Sequence, residues 1–367
     1  MRSQRAFTLV ELLFVVVVVG ALLAVQAVAV ASGRDQSSVR SDIADLRLIA
    51  QASAIYSDTY DDRLFTFSWR PGVLPDTPNI GLAIACASLD PSNEDHVLRA
   101  SVLQQLDLVT RNSDFQQIAP VSTTAPLNHA PFVYYNNLIL THFMGESVPS
   151  DIFISKGDAA RMDWFKNTDA YLDDPASAAF SPPTTATEFQ ELWRWPFSSS
   201  YMTGPSHYSP DTGTITGNPV PRTARRVANN RSWQMPRVDG LLGTRTTAHV
   251  ASPSHKVQMF DEYDRYSGPF GKYFGLQDAR AIQVFYDGSA GRFATSKSDF
   301  GFDPNQPLWG ASEPDNPTAS YTYRPFVGWD PPDAFQIQVP VRYDQTRDGL
   351  QGIDFQRGSV RRPIRSR

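Results

Sequence analysis

The chain has 367 residues, 41% hydrophobic, 12% aromatic and 19% charged, with 28 prolines and 22 glycines, which excludes a disordered chain and describes a folded, loop-rich one. Its net charge of -5 offers no overall attraction to nucleic acid, and the single cysteine, Cys86, allows no intrachain disulfide. The length exceeds one ordinary domain without requiring two.

A short basic leader with Arg2 and Arg5 opens the chain, and Leu12 to Ala31 then runs for 20 residues without a charge. As a helix this tract reaches across a hydrocarbon core of about 30 Å. A valine-rich strand would leave its backbone groups unsatisfied in lipid, so the tract is expected to be a membrane helix. The positive-inside rule places the leader in the cytoplasm and the rest outside. Glu11 stands at the start of this apolar tract, where a buried carboxylate is costly. Neither a secretory signal peptide ending at Ala29-Val30-Ala31 nor an uncleaved signal anchor explains it.

The segment Arg5-Ala6-Phe7-Thr8-Leu9-Val10-Glu11 resembles the processing site of type IV prepilins and type II secretion pseudopilins. In that family a leader is removed just before a phenylalanine, and a glutamate stands fifth in the mature chain. The resemblance implies cleavage by prepilin peptidase between Ala6 and Phe7, N-methylation of Phe7, and an assembly role for Glu11. Ala6 departs from the family's usual glycine but keeps a small residue. Cleavage frees an ammonium at Phe7, and the Glu11 carboxylate of an incoming subunit can pair with that of a neighbour, so an ion costly in lipid gains a partner on assembly.

Beyond the tract, Val39, Ile43, Leu46, Ile49/Ala50, Ser53, Tyr56 and Tyr60 recur every three to four residues, with Arg40, Asp42, Asp45, Arg47 and Gln51 between them. This predicts an amphipathic continuation of the helix to about Tyr60, its apolar stripe covered by the protein's own sheet. Leu64 to Pro78 reads as a proline-punctuated connection, and Cys86 as a small buried hydrophobe. Ser92-Asn93-Glu94-Asp95 has capping-box form ahead of a helix in HVLRASVLQQLDLV. Pro131 to Met144 and Ile152 to Ser155 read as strands, and Ala159 to Leu172 and Ala186 to Trp195 have helical spacing. Asp173 to Thr187 and Thr203 to Arg222 read as loops. KVQMF reads as a strand, and Asp287-Gly288 between two β-rich runs predicts a hairpin.

Val148-Pro149-Ser150-Asp151, Ser199-Ser200-Tyr201, the segment Pro253 to Glu262 and Val284 to Ser289 follow one another in the order seen in large bacterial pilin-like proteins. Members of that group commonly stop soon after the hairpin. Here the chain continues to Arg367, as an added strand or an interaction arm, and ends in a basic tail.

Catalytic patterns are missing. The histidines at 96, 129, 142, 207, 249 and 255 show no zinc spacing, and there is no P-loop, GxGxxG or Gly-x-Ser-x-Gly. Asp261, Glu262 and Asp264 stand at a strand end, where they either gather oxygen ligands for calcium, as in some pseudopilins, or lie solvated at a turn.

The expected fold is α+β: a long N-terminal transmembrane helix packed on an antiparallel β-sheet head, with loop-rich insertions. Its divisions are a leader at 1–6, a membrane helix at 7–31, its amphipathic continuation at 32–62, the head at 63–300 and a C-terminal extension at 301–367. The expected function is that of a non-enzymatic filament subunit without a cofactor. Its partners are prepilin peptidase, other pilin or pseudopilin subunits and the inner membrane, with the head in the periplasm and no nucleic acid involved. The alternative is a membrane-anchored periplasmic enzyme or binding protein.

Overall fold

A computed structural model describes residues 9–93, 95–113, 131–173, 195–210, 224–226, 233–234, 242–268, 271–301, 320–323 and 337–355, without the side chains of 9–12, 15, 20–32, 95, 225, 234, 320 and 321. Helix α1 runs without interruption from Leu9 to Thr59. It ends where Asp61 and Asp62 take positive φ, a conformation that a helix cannot continue. Helix α2 (Ile80–Ala87) and helix α3 (Asp95–Asn112) follow. The Ser92 hydroxyl donates to Asp90, and Glu94 and the Asp95 side chain, which belong to the expected capping box, lie outside the described residues.

Pro131 to Met144 is helical, not extended. Helix α4 (Pro131–Tyr134), a 3-10 turn at Asn136–Leu140 and helix α5 (Thr141–Met144) succeed one another, and the left-handed Gly145 closes the run. Ile152 to Ser155, also expected as a strand, contributes instead to a 3-10 turn at Asp151–Phe153. Short apolar runs rich in β-branched and aromatic residues suit a buried helix as well as a strand, and here the surrounding core decides. Helices α6 (Ala159–Lys166) and α7 (Thr168–Asp173) occupy the stretch with helical spacing. The helix expected at 186–195 lies outside the described residues, apart from Trp195 in a 3-10 turn.

The strands are β1 (Tyr201–Thr203), β2 (Arg225–Arg226), β3 (Trp233–Gln234), β4 (Val257–Asp261), β5 (Tyr263–Asp264), β6 (Lys272–Tyr273), β7 (Ile282–Phe285), β8 (Ala290–Arg292), β9 (Ser320–Thr322) and β10 (Gln338–Pro340). The main sheet has the order β1-β4-β7-β8, antiparallel throughout, with Met202 opposite Phe260, Met259 opposite Val284 and Val284 opposite Ala290. The expected hairpin joins β7 to β8, with Gly288 at φ 78, a conformation that favours glycine. β2–β3, β5–β6 and β9–β10 form separate two-stranded sheets.

Side-chain alternation gives the sheet two buried faces. Tyr201, Met259, Ile282 and Val284 meet Leu46, Ile49, Ala50 and Ala52 of α1. Met202, Phe260 and Phe285 face a larger core with Phe132, Tyr273, Phe274, Tyr343 and Phe355. That second core includes Tyr323, Val339, Val341, Tyr343 and Phe355 of the C-terminal extension. Of the two readings the sequence left open for the extension, the β9–β10 pair supplies added strands.

The fold is therefore α+β, with a long N-terminal helix on an antiparallel sheet. Among the described residues no helix is long and apolar enough to cross a membrane. The side chains of residues 20–32, part of the expected span, lie outside that description.

Candidate functional site

Two halves of α1 meet different surroundings. The described apolar side chains of its first half are open: Leu13, Phe14, Val16, Val17, Val18 and Val19 are all exposed. A contiguous exposed row of this kind marks a surface that another apolar phase or protein covers. From Val39 onward one stripe of the same helix is seated on the head, and Leu46 and Ile49 are fully buried. The expected amphipathic continuation is thus present and covered by the protein's own sheet.

This seat is partly polar. Asp42 is fully buried. Its Oδ2 accepts from the Ser155 hydroxyl and the Tyr266 hydroxyl, each at 2.6 Å, and its Oδ1 accepts from the Lys156 amide at 2.8 Å. Burial pushes the Asp42 carboxyl above its ordinary value, and these three hydrogen bonds pull it back. Lys156 Nζ lies 3.5 Å from Asp45 one turn along α1. Farther up, the Gln258 side-chain amide donates to Ser53 Oγ at 2.8 Å, both side chains being buried.

Asp42, expected among the solvent-facing residues between stripe positions, is instead buried. Positions 42, 46, 49 and 53 are themselves spaced four, three and four apart, so the carboxylate falls in the buried row. The spacing was the available signal. Its partners 113 and 224 residues away were not legible.

Beneath the seat lies a chain of buried ions. Arg265 Nη2 is 2.8 Å from Asp158 Oδ2 and its Nε is 2.9 Å from Asp261 Oδ2. Arg161 Nη1 donates to Asp158 at 2.7 Å, and so does the Ser200 hydroxyl. Burial alone would raise Asp158, but Arg265 and Arg161 hold its carboxyl down at about 2. Asp261 has only Arg265 as a cationic partner among its main influences, so burial dominates and raises it to about 7.

Asp261, Glu262 and Asp264, the expected calcium candidates, are all buried and do not converge. Asp261 pairs with Arg265. Glu262 accepts from the Tyr134 hydroxyl at 2.6 Å and pairs with Arg226 at 3.2 Å. Asp264 pairs with Arg292 at 2.7 Å and accepts from the Arg280 amide at 2.8 Å. They are neither solvated at a turn nor aimed at a shared point. Among the described residues no group of three or more His, Cys, Asp or Glu is arranged to hold a metal ion.

The processing residues Ala6 and Phe7 lie outside the described residues, while Glu11 belongs to α1 with its side chain outside the description. The structure therefore places the assembly candidate on the helix whose far end is seated, and does not place the cleavage site.

Residues 1–25 match a family model described as the prokaryotic N-terminal methylation motif. The chain carries a prepilin-type processing and methylation signal, consistent with a type IV pilin- or pseudopilin-like protein. No curated protein and no solved structure matches the chain.

Proposed function

We propose that this protein is a structural subunit of a type II secretion pseudopilus or type IV pilus-like filament. Prepilin peptidase removes residues 1–6, Phe7 becomes the methylated N-terminus, and the apolar first half of α1 holds the chain in the inner membrane until assembly. The head, exported to the periplasm, rides on the second half of the helix. The observation that supports this reading best is the continuity of the methylation motif at 1–25 with a single helix reaching Thr59. A signal peptide needs neither that length nor Glu11.

The chemistry of assembly is charge compensation. An unpaired carboxylate costs about 2.5–3.5 kcal/mol at the bilayer centre on insertion scales, and less, but still an unfavourable amount, near the end of the span where Glu11 stands. Pairing Glu11 with the Phe7 ammonium of a neighbouring subunit removes that cost only in the correct register. The test is Glu11→Ala in the native cell. Leader removal should proceed as in the wild type while the protein vanishes from the sheared filament fraction; wild-type incorporation of the variant would overturn the pairing mechanism.

A further inference from the structure

We infer that Asp42 is a positioning residue that, together with Ser53, fixes the axial and rotational register of α1 on the head. The apolar part of the seat specifies register poorly. Leu46, Ile49, Ala50 and Ala52 form a stripe in which a shift by one turn, about 5.4 Å, exchanges one aliphatic contact for another.

The polar ties are different, because a buried group that loses its partner has no water to replace it. Asp42 receives three hydrogen bonds, all from groups distant in sequence: the Ser155 hydroxyl, the Lys156 amide and the Tyr266 hydroxyl. Ser53 receives the Gln258 amide from β4. Eleven positions separate the two, which on an ideal helix is about 20° beyond three full turns and roughly 16 Å of rise. Both ties therefore sit on one stripe, on either side of Leu46, Ile49 and Ala50. A one-turn slip breaks both at once, and a rotation swings both off the sheet, so the pair excludes displacements that the aliphatic contacts tolerate.

Because α1 is continuous from Leu9, its orientation at residue 42 sets the orientation of the exposed first half relative to the head. In the filament reading, on which this consequence rests, Asp42 determines how the head is presented around each helix. The seat itself does not depend on that reading.

The test is disulfide trapping in the full-length chain. Arg47 lies beside β8, its guanidinium 3.4 Å from the Ala290 carbonyl oxygen. Ala290→Cys is combined in turn with Arg47→Cys, Ala44→Cys and Gln51→Cys, the last two lying about one turn to either side. Cys86 is buried and stays in place. With Asp42 present, the 47–290 cross-link should dominate. With Asp42→Ala, the ratio of off-register cross-links to 47–290 should rise about ten-fold, as expected for losing a buried acceptor with three donors. Asp42→Asn, nearly isosteric and still able to accept from the Lys156 amide, should keep most of the native ratio. An unchanged ratio in a cooperatively melting Asp42→Ala chain, or in Ser155→Ala, Tyr266→Phe and Ser53→Ala combined where Asp42→Ala does not fold, would overturn the inference. An unprocessed N-terminus would sink the filament reading instead and leave the cross-link result standing.

Discussion

Arg226 Nε lies 2.6 Å from Asp344 Oδ2 with both side chains shielded from solvent, so a guanidinium on β2 is tied to a carboxylate of the C-terminal extension. The same guanidinium reaches Glu262 at 3.2 Å and lies over the Trp233 ring at 4.7 Å. Removing one member of such a cluster strands the others, at about 3–5 kcal/mol. Arg226→Met should lower the unfolding free energy by about that amount in urea melts, and replacing Glu262 and Asp344 by Leu as well should recover much of it. A loss under ~1 kcal/mol for the single variant would mean that water reaches the cluster.

The extension also closes over a glycine. Gly301 has φ +76, and a Cβ there would stand 2.5 Å from the Arg342 carbonyl oxygen and 2.6 Å from that of Gln345. Gly301→Ala therefore meets both backbone strain and a clash with main chain that cannot rotate away, a combined cost of roughly 2–4 kcal/mol. Thermal melts should show a clearly lower midpoint. An unchanged midpoint would show that residues 342–345 are not seated as described.

His207 predicts an acid response. The ring is fully enclosed, with Nδ1 2.8 Å from the Tyr286 hydroxyl and Nε2 2.9 Å from the Phe65 carbonyl oxygen. Burial lowers its pKa from 6.5 to about 3. Its folded value lies below its unfolded one, so between these values the unfolded chain binds a proton that the native ring refuses. Stability from this group is complete above pH 6.5 and is lost as the pH falls towards 3. The slope is about 1.4 kcal/mol per pH unit. Relative to His207→Phe, the wild type should lose roughly 2 kcal/mol between pH 7 and pH 5. Asp158 and Asp261 titrate in both chains and cancel in that difference. Parallel pH profiles would mean that the ring takes up a proton as readily in the fold as in the unfolded chain.

Much of the main sheet could be read from the chain. β1 was not expected, its Thr203 falling in a segment that reads as a loop, but Lys256 to Phe260 overlaps β4 and the Asp287-Gly288 turn joins β7 to β8. Strong local turn chemistry and period-two apolar patterning specify such elements without help from distant residues. Helix α1 was legible for the same reason, its stripe following the 3.6-residue repeat.

What sequence reasoning missed was decided by distant contacts. Phe132, Val133 and Leu138 carry strand-like side chains, yet all are buried in helical turns because the core encloses them. Asp42 reads as a residue between stripe positions, and Asp261, Glu262 and Asp264 as calcium ligands or solvated carboxylates, whereas all four are buried, as are Asp158, Asp344 and Asp354. An ionic interior of this kind depends on arginine, lysine and hydroxyl partners that local pattern does not locate. Lys256, fully enclosed with Asp354 at 3.1 Å and Thr346 as further partner, is another instance.

The Ala6–Phe7 bond, where the leader is expected to be cut, lies outside the described residues and is open to direct measurement. Mass spectrometry of the N-terminal peptide, taken from protein extracted from membranes of the native cell, should find a chain that begins at N-methylated Phe7. An intact Met1, or a mature start at Ser32, would contradict the account and leave a protein that is anchored or secreted but not assembled.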